Sequence, residues 1–176
     1  MSKILAFSGS NHSKSINQKL INYTASLISD IEVEVLDVSK WNIPVYSIDM
    51  DPDQTPGEIN QLIEFIQHHD GIIISSPEHN GSTPAFFKNI IDWLSRRSKN
   101  VFENKPVLLM SASPGKGGGI KNRKLLEHLL PYLGANITTT FSLPSFHQNM
   151  QDGEISGTLL EELNTAINSF LESIKT

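Results

Sequence analysis

The sequence predicts an α/β fold in which one parallel five-stranded sheet is sandwiched between two layers of helices. Three observations predict it. Short apolar runs rich in β-branched residues begin at Lys3, Ile31, Asp70, Lys105 and Ala135, and each has the length of a strand. Each is followed by a segment whose apolar residues recur at helical spacing, and such βα units in succession require a parallel sheet with helices on both faces. The chain of 176 residues suits one domain spanning 1–176 and is long enough to bury a sizeable core.

Taken in order, Lys3 to Ser8 is the first strand. The loop Gly9 to Asn17 follows and leads into a helix with Ile16, Leu20, Ile21, Leu27 and Ile28 on one stripe; Ser15 with Gln18 three residues later is a capping-box signature. Ile31 to Val38 is the second strand. Ser39 to Pro56 is a long connection carrying Trp41, Pro44, Tyr46 and Pro52, and its aromatic content predicts an ordered flap or a packed surface loop. Gly57 to His69 is a helix with Ile59, Leu62, Ile63 and Ile66 on one stripe, and His68-His69 at its end are read as cations favoured by a helix C-terminus.

Asp70 to Ile74 is the third strand, buried on both faces, and the loop Ser75 to Pro84 leaves its carboxyl end. In open α/β sheets that is where ligands bind. Pro84 to Arg96 is a helix more widely apolar than one core-facing stripe needs, with Phe86, Phe87, Ile90, Ile91, Trp93 and Leu94; the excess predicts either a subunit interface or a large monomer core. Lys105 to Ser113 is the fourth strand, followed by Pro114 and the glycine run Gly115 to Gly119 around Lys116. Lys121 to Leu133 is helical, Ala135 to Leu143 is the fifth strand, and Thr158 to Ile174 is the terminal helix. The polar stretch Pro144 to Gly157 between them is read as a loop without chemistry. Right-handed crossovers then give the strand order 2-1-3-4-5, a flavodoxin-like arrangement.

Composition narrows the function classes. The formal charge is −5 with a pI near 5.6, and the basic residues are scattered, so neither a nucleic-acid footprint nor a polybasic membrane patch is present. No cysteine occurs, which excludes disulfides, thiol nucleophiles and Cys-ligated metals. No stretch has the ~20 apolar residues of a membrane span and the N-terminal apolar run is too short for a signal peptide, so a cytoplasmic protein with small-molecule partners is expected. The six histidines are scattered and none forms H-E-x-x-H, so no metal site is predicted. No G-x-S-x-G elbow points to a serine hydrolase.

Two of the loops carry readable chemistry. Gly9 to Asn17 brings hydroxyl and amide groups to a helix N-terminus, where free N–H groups and the helix dipole favour a phosphate. Its spacing is neither Walker A nor G-x-G-x-x-G. In Pro77-Glu78-His79-Asn80-Gly81, Pro77 fixes one φ and removes a donor, while Asn80-Gly81 is a turn dipeptide able to take positive φ, which would let N–H groups face a flat ligand. The glycine run Gly115 to Gly119 allows either close approach to a ligand or a hinge.

Together the three loops resemble the NADPH-dependent FMN reductase family, which includes azo, quinone and chromate reductases. Its first motif, approximately G-S-x-R-x-x-S-x-N, stands here as Gly9 to Asn17. Its second, approximately P-E-Y-N-G-S-x-P followed by K-N-x-I-D-W-x-S-R, is matched by Pro77 to Pro84 and Lys88 to Arg96, and the third, S-x-S-P-G-x-x-G-G, by Ser111 to Gly119. Order and spacing agree over about the first three quarters of the chain.

The resemblance implies that Ser10, His12, Ser15, Ile16 and Asn17 form the FMN phosphate loop. It implies that Pro77, Glu78, His79, Asn80 and Gly81 line the isoalloxazine, and that Ser113, Pro114, Gly115, Lys116, Gly117 and Gly118 close its other side. It further implies hydride transfer from NADPH or NADH to FMN, onward transfer to a quinone, azo, nitro or flavin acceptor, and a homodimer or homotetramer. The flavin ring then carries the chemistry, and no side chain is assigned as catalytic. Three positions depart from the pattern: His12 replaces the family's Arg, His79 its Tyr, and Lys121 stands where Arg is frequent. The first matters most, because Arg stays charged and forks onto a phosphate whereas neutral His offers one donor. A flavodoxin-type electron carrier is the second reading, disfavoured by the first loop. A phosphoacceptor domain would need acidic residues near the end of the first strand, where Phe7-Ser8-Gly9 supplies none.

Overall fold

The structure, a computed structural model, describes residues 2–51 and 53–175; Pro52 of the long connection therefore lies outside the described residues. Strands β1 (Lys3–Ser8), β2 (Glu32–Leu36), β3 (Gly71–Ser75), β4 (Pro106–Ala112) and β5 (Asn136–Leu143) form one sheet in the order β2-β1-β3-β4-β5. All four pairings are parallel. The three inner strands are almost wholly buried, as apolar strands covered on both faces must be. Edge strand β2 alternates charged and apolar residues, and it is shorter than the apolar run suggested.

Five helices of ten or more residues cover the sheet: α1 (Ile16–Ser26), α2 (Gly57–His68), α3 (Ala85–Arg97), α4 (Ile120–Leu129) and, after a four-residue helix α5 (Phe146–Asn149), α6 (Gly157–Ile174). Alternate strand residues point to opposite faces, so two cores result. Leu5, Phe7, Ile72 and Leu109 pack with α2, α3 and α4 on one face, while Ile4, Ala6, Ile73 and Met110 pack with α1 and α6 on the other. The predicted helix 121–133 ends at Leu129 and continues as a 3-10 turn over Leu130–Leu133, because Pro131 has no N–H to extend the α-helical ladder.

The breadth of α3 is used inside the chain. Trp93 is fully buried, its indole N–H donates to Pro44 O at 2.9 Å, and its ring meets Tyr46 edge-on at 5.1 Å. Asn89 accepts the Tyr46 N–H at 2.8 Å and donates to Pro44 O at 2.9 Å, while Arg97 pairs with Asp51. The connection is thus a strap packed along α3, and the large monomer core accounts for the helix's apolar residues without an interface. His69 ends α2 with its ring buried: Nδ1 donates to Phe65 O at 2.6 Å and Nε2 lies 3.2 Å from Glu34.

The stretch 144–157 is more structured than its polarity suggested. It contains α5 and the hairpin β6 (Met150–Gln151) with β7 (Glu154–Ile155), tied down by Phe146 and Ile155 in the second core.

Candidate active site at the carboxyl ends of the strands

Strands β1, β3 and β4 end side by side, and Asn17 fastens the ends of β3 and β4. It is fully buried; its Oδ1 accepts from Ser75 Oγ at 2.8 Å and from Ala112 N at 2.9 Å, and its Nδ2 donates to Ala112 O at 3.1 Å. With the amide so engaged, Asn17 offers a ligand its main-chain N–H in the first turn of α1, where helix N–H groups have no intrahelical partner.

Ser15 is the N-cap of α1, its Oγ accepting the Gln18 N–H at 3.3 Å. The return half of the expected capping box is absent, because the Ser15 N–H donates to His12 O at 3.0 Å, while the Gln18 amide donates to Asn22 at 3.1 Å. Ser10 Oγ accepts the His12 N–H at 3.2 Å. Both hydroxyls act there as acceptors, so each retains its proton to donate.

In the second loop Asn80 and Gly81 have φ of 53° and 75°. Both are positive as expected, and the pair forms a tight turn closed by mutual hydrogen bonds of 3.0 Å between His79 and Ser82. The N–H groups of His79 and Ser82 are taken by this closure, which leaves those of Asn80 and Gly81 for a ligand. The loop is anchored from beneath by Asn122. That buried residue donates to Ser76 Oγ at 3.0 Å and Pro77 O at 2.6 Å, and accepts from Thr83 Oγ1 at 2.7 Å. Glu78 in turn accepts the N–H groups of Lys121 and Asn122 at 3.0 and 3.3 Å, capping α4, whose own N-cap residue Gly119 supplies no side chain.

The third loop divides in two. Gly118 and Gly119 have positive φ, and a Cβ on Gly118 would stand 3.1 Å from Pro144 N. These glycines therefore permit close packing of the chain on the ends of β4 and β5. Gly115 and Gly117 face open space. Gly115 O accepts the Ser145 N–H at 2.9 Å and Ser113 O accepts that of Phe146 at 3.0 Å, so α5 is clamped onto this loop.

The loops enclose a cleft of about 430 Å³. It is lined by Ser10, His12, Ser15, Ile16 and Asn17 from the first, Pro77, Glu78 and His79 from the second, and Ser113 and Pro114 from the third. Asn80, Gly81, Gly115, Lys116, Gly117 and Gly118 are not among its walls. Three residues not singled out from the sequence are: Lys14, Ala112 and His147. Lys14 stood inside the recognised loop, whereas nothing in the spacing tied His147 to it. Larger clefts of about 640 and 690 Å³ run along edge strand β5, away from the strand ends where this fold binds ligands. Among the described residues no three metal-ligating side chains converge.

A monophosphate and a flat ring fit these residues. Two serines with protons to donate and the first turn of α1 line the cleft with His12 and Lys14, and residues of the second and third loops complete its walls. A five-stranded parallel sheet in this order is the flavodoxin-like fold, with its cleft at the strand ends where that fold binds ligands.

The comparisons agree. The family described as NADPH-dependent FMN reductase matches residues 2–148, and the chain belongs to that family of FMN- and NAD(P)H-using oxidoreductases. It is 35% identical over 146 residues to a quinone reductase of Escherichia coli, covering 76% of each chain. It is 31% identical over 132 residues to an NAD(P)H-dependent FMN reductase of Pseudomonas aeruginosa, covering 74% of this chain and 70% of the relative. Among solved structures, a flavoenzyme NAD(P)H:(acceptor) oxidoreductase from Paracoccus denitrificans superposes with a TM-score of 0.78 at 24% identity, covering 99% and 98% of the two chains, and shares the fold.

Proposed function

We propose that the chain is an NAD(P)H:quinone reductase that holds the FMN phosphate in the first loop and the ring between the second and third. The observation that carries this is that Ser10, Lys14, the N-cap Ser15 and the first turn of α1 line one cleft. A quinone is the favoured acceptor because relatives from Escherichia coli and Arabidopsis thaliana carry that activity in their names; azo, nitro and free-flavin acceptors are the alternatives. When bound, FMN accepts a hydride from NAD(P)H and returns the electrons to the acceptor.

The chain's own residues bind and orient. Glu78, already accepting two main-chain N–H groups, is held as a positioning carboxylate rather than an acid or base. Asn80 and Gly81, just beyond the walls of the cleft, would offer their N–H groups as preorganised dipoles only to a part of the ring that reaches past His79. For the 2′-phosphate of NADPH, Lys116 and Lys121 remain exposed, whereas Arg123 is paired with Glu127 at 2.9 Å.

A homodimer or homotetramer in the cytoplasm belongs to the same proposal. Val45 and Ile48 on the strap are 82% and 76% exposed and offer an apolar face for assembly, which sedimentation at micromolar concentration tests. The function is tested by initial rates with NADPH and a benzoquinone. Parallel double-reciprocal lines, the mark of ping-pong turnover, are expected; converging lines, or no quinone reduction with FMN bound, would refute it.

A further inference from the structure

His12 stands where an always-charged arginine is expected, so the phosphate end of the cleft lacks a forked cation. The fold brings another imidazole to the same cleft. His147 lies on α5, 135 positions further along the chain (147 minus 12), yet both line the cleft together with Ser15 and Lys14. Its position is fixed rather than incidental. Phe146 is buried in the second core, its ring meets His147 edge-on at 5.4 Å, and the N–H groups of Ser145 and Phe146 are bonded to the third loop. His12, Lys14 and His147 enter no ion pair among the described residues, so their side chains are free to meet an anion.

We propose that His147 is a second imidazole ligand of the FMN phosphate, and that with His12 it forms a clamp that sets the preference for FMN over riboflavin. The inference rests on the FMN reading above and adds a residue outside the three loops. The charged and titratable groups facing the clamp are Lys14 beside it, Glu78 and His79 across the cleft, and the phosphate itself. Glu78 is engaged by the α4 N-terminus.

An imidazole N–H donated to a phosphate is a charge-assisted hydrogen bond, and riboflavin, which carries no phosphate, cannot accept it. A loss confined to FMN therefore reports the clamp.

The test is equilibrium titration of the apoprotein with FMN and with riboflavin by flavin fluorescence. The unmodified protein should prefer FMN. His147→Ala should lose about tenfold in FMN affinity, the worth of a charge-assisted hydrogen bond, and nothing toward riboflavin. His12→Arg should bind FMN more tightly, because its guanidinium forks onto a phosphate. If His147→Ala keeps the FMN preference, or weakens riboflavin equally, the clamp is refuted while the FMN reading stands. If the unmodified protein fails to prefer FMN, both fall.

Discussion

The carboxylate of Glu78 accepts the main-chain N–H of Lys121 at 3.0 Å, joining the loop after β3 to the helix that follows the loop after β4. An acid beside a flavin ring invites assignment as a proton donor; here it completes a helix N-terminus across the cleft. Glu78→Gln keeps an acceptor oxygen and should retain NADPH-dependent flavin reduction within roughly tenfold, since a true general acid contributes about 10²- to 10⁴-fold. Glu78→Ala should lose about 1 kcal/mol of stability, as cap removals do. Anaerobic stopped-flow and urea unfolding measure the two. Loss of reduction in Glu78→Gln with FMN still bound would return the residue to catalysis.

Asn17→Ala strands Ser75 Oγ and both polar groups of the Ala112 peptide in a fully buried setting. The expected cost is about 3 kcal/mol, read as a lowered urea midpoint without FMN. A residue that touched only the phosphate would weaken FMN binding and leave apoprotein stability unchanged.

Trp93→Asp should unfold the chain rather than dissociate an assembly, because the indole is buried against the strap and bonded to Pro44. Trp93→Phe, which keeps most of the volume but loses the N–H, should cost about 1 to 2 kcal/mol with the oligomeric state unchanged. Circular dichroism and sedimentation separate the outcomes.

The glycines make a paired prediction. Gly118→Ala meets Pro144 at 3.1 Å with φ at +60° and should destabilise by about 1 to 2 kcal/mol. Gly117→Ala, whose added Cβ meets nothing within 4 Å, should be tolerated. Gly81→Val forces a β-branched residue into φ of +75° and should impair ring binding far more than Glu78→Gln does. Thermal melts compare the first two, and FMN titration the third.

The sheet order was legible because strands covered on both faces must be continuously apolar, and Ile72-Ile73-Ile74 and Val107-Leu108-Leu109-Met110 are. Two loops were legible because Ser15 caps a helix and Asn80-Gly81 takes positive φ wherever they stand, properties local to a few residues. What was missed depends on distant contacts. A four-residue helix has no periodicity to read, so α5 and His147 were invisible until Phe146 found its place in the core. Asn122 looked like an ordinary helix residue because its three partners come from another loop. Trp93 seemed surplus to one helix face until the strap supplied the second surface it packs on.

FMN binding in this cleft and its reduction there by NAD(P)H are read together in the visible spectrum of the purified protein, reconstituted with FMN and freed of excess by gel filtration, recorded without oxygen before and after NADPH. A flavin spectrum should stay with the protein, bleach on addition of NADPH and recover when a quinone is admitted. A protein that elutes without flavin, or one whose bound FMN keeps its colour in the presence of both NADPH and NADH, would contradict this reading.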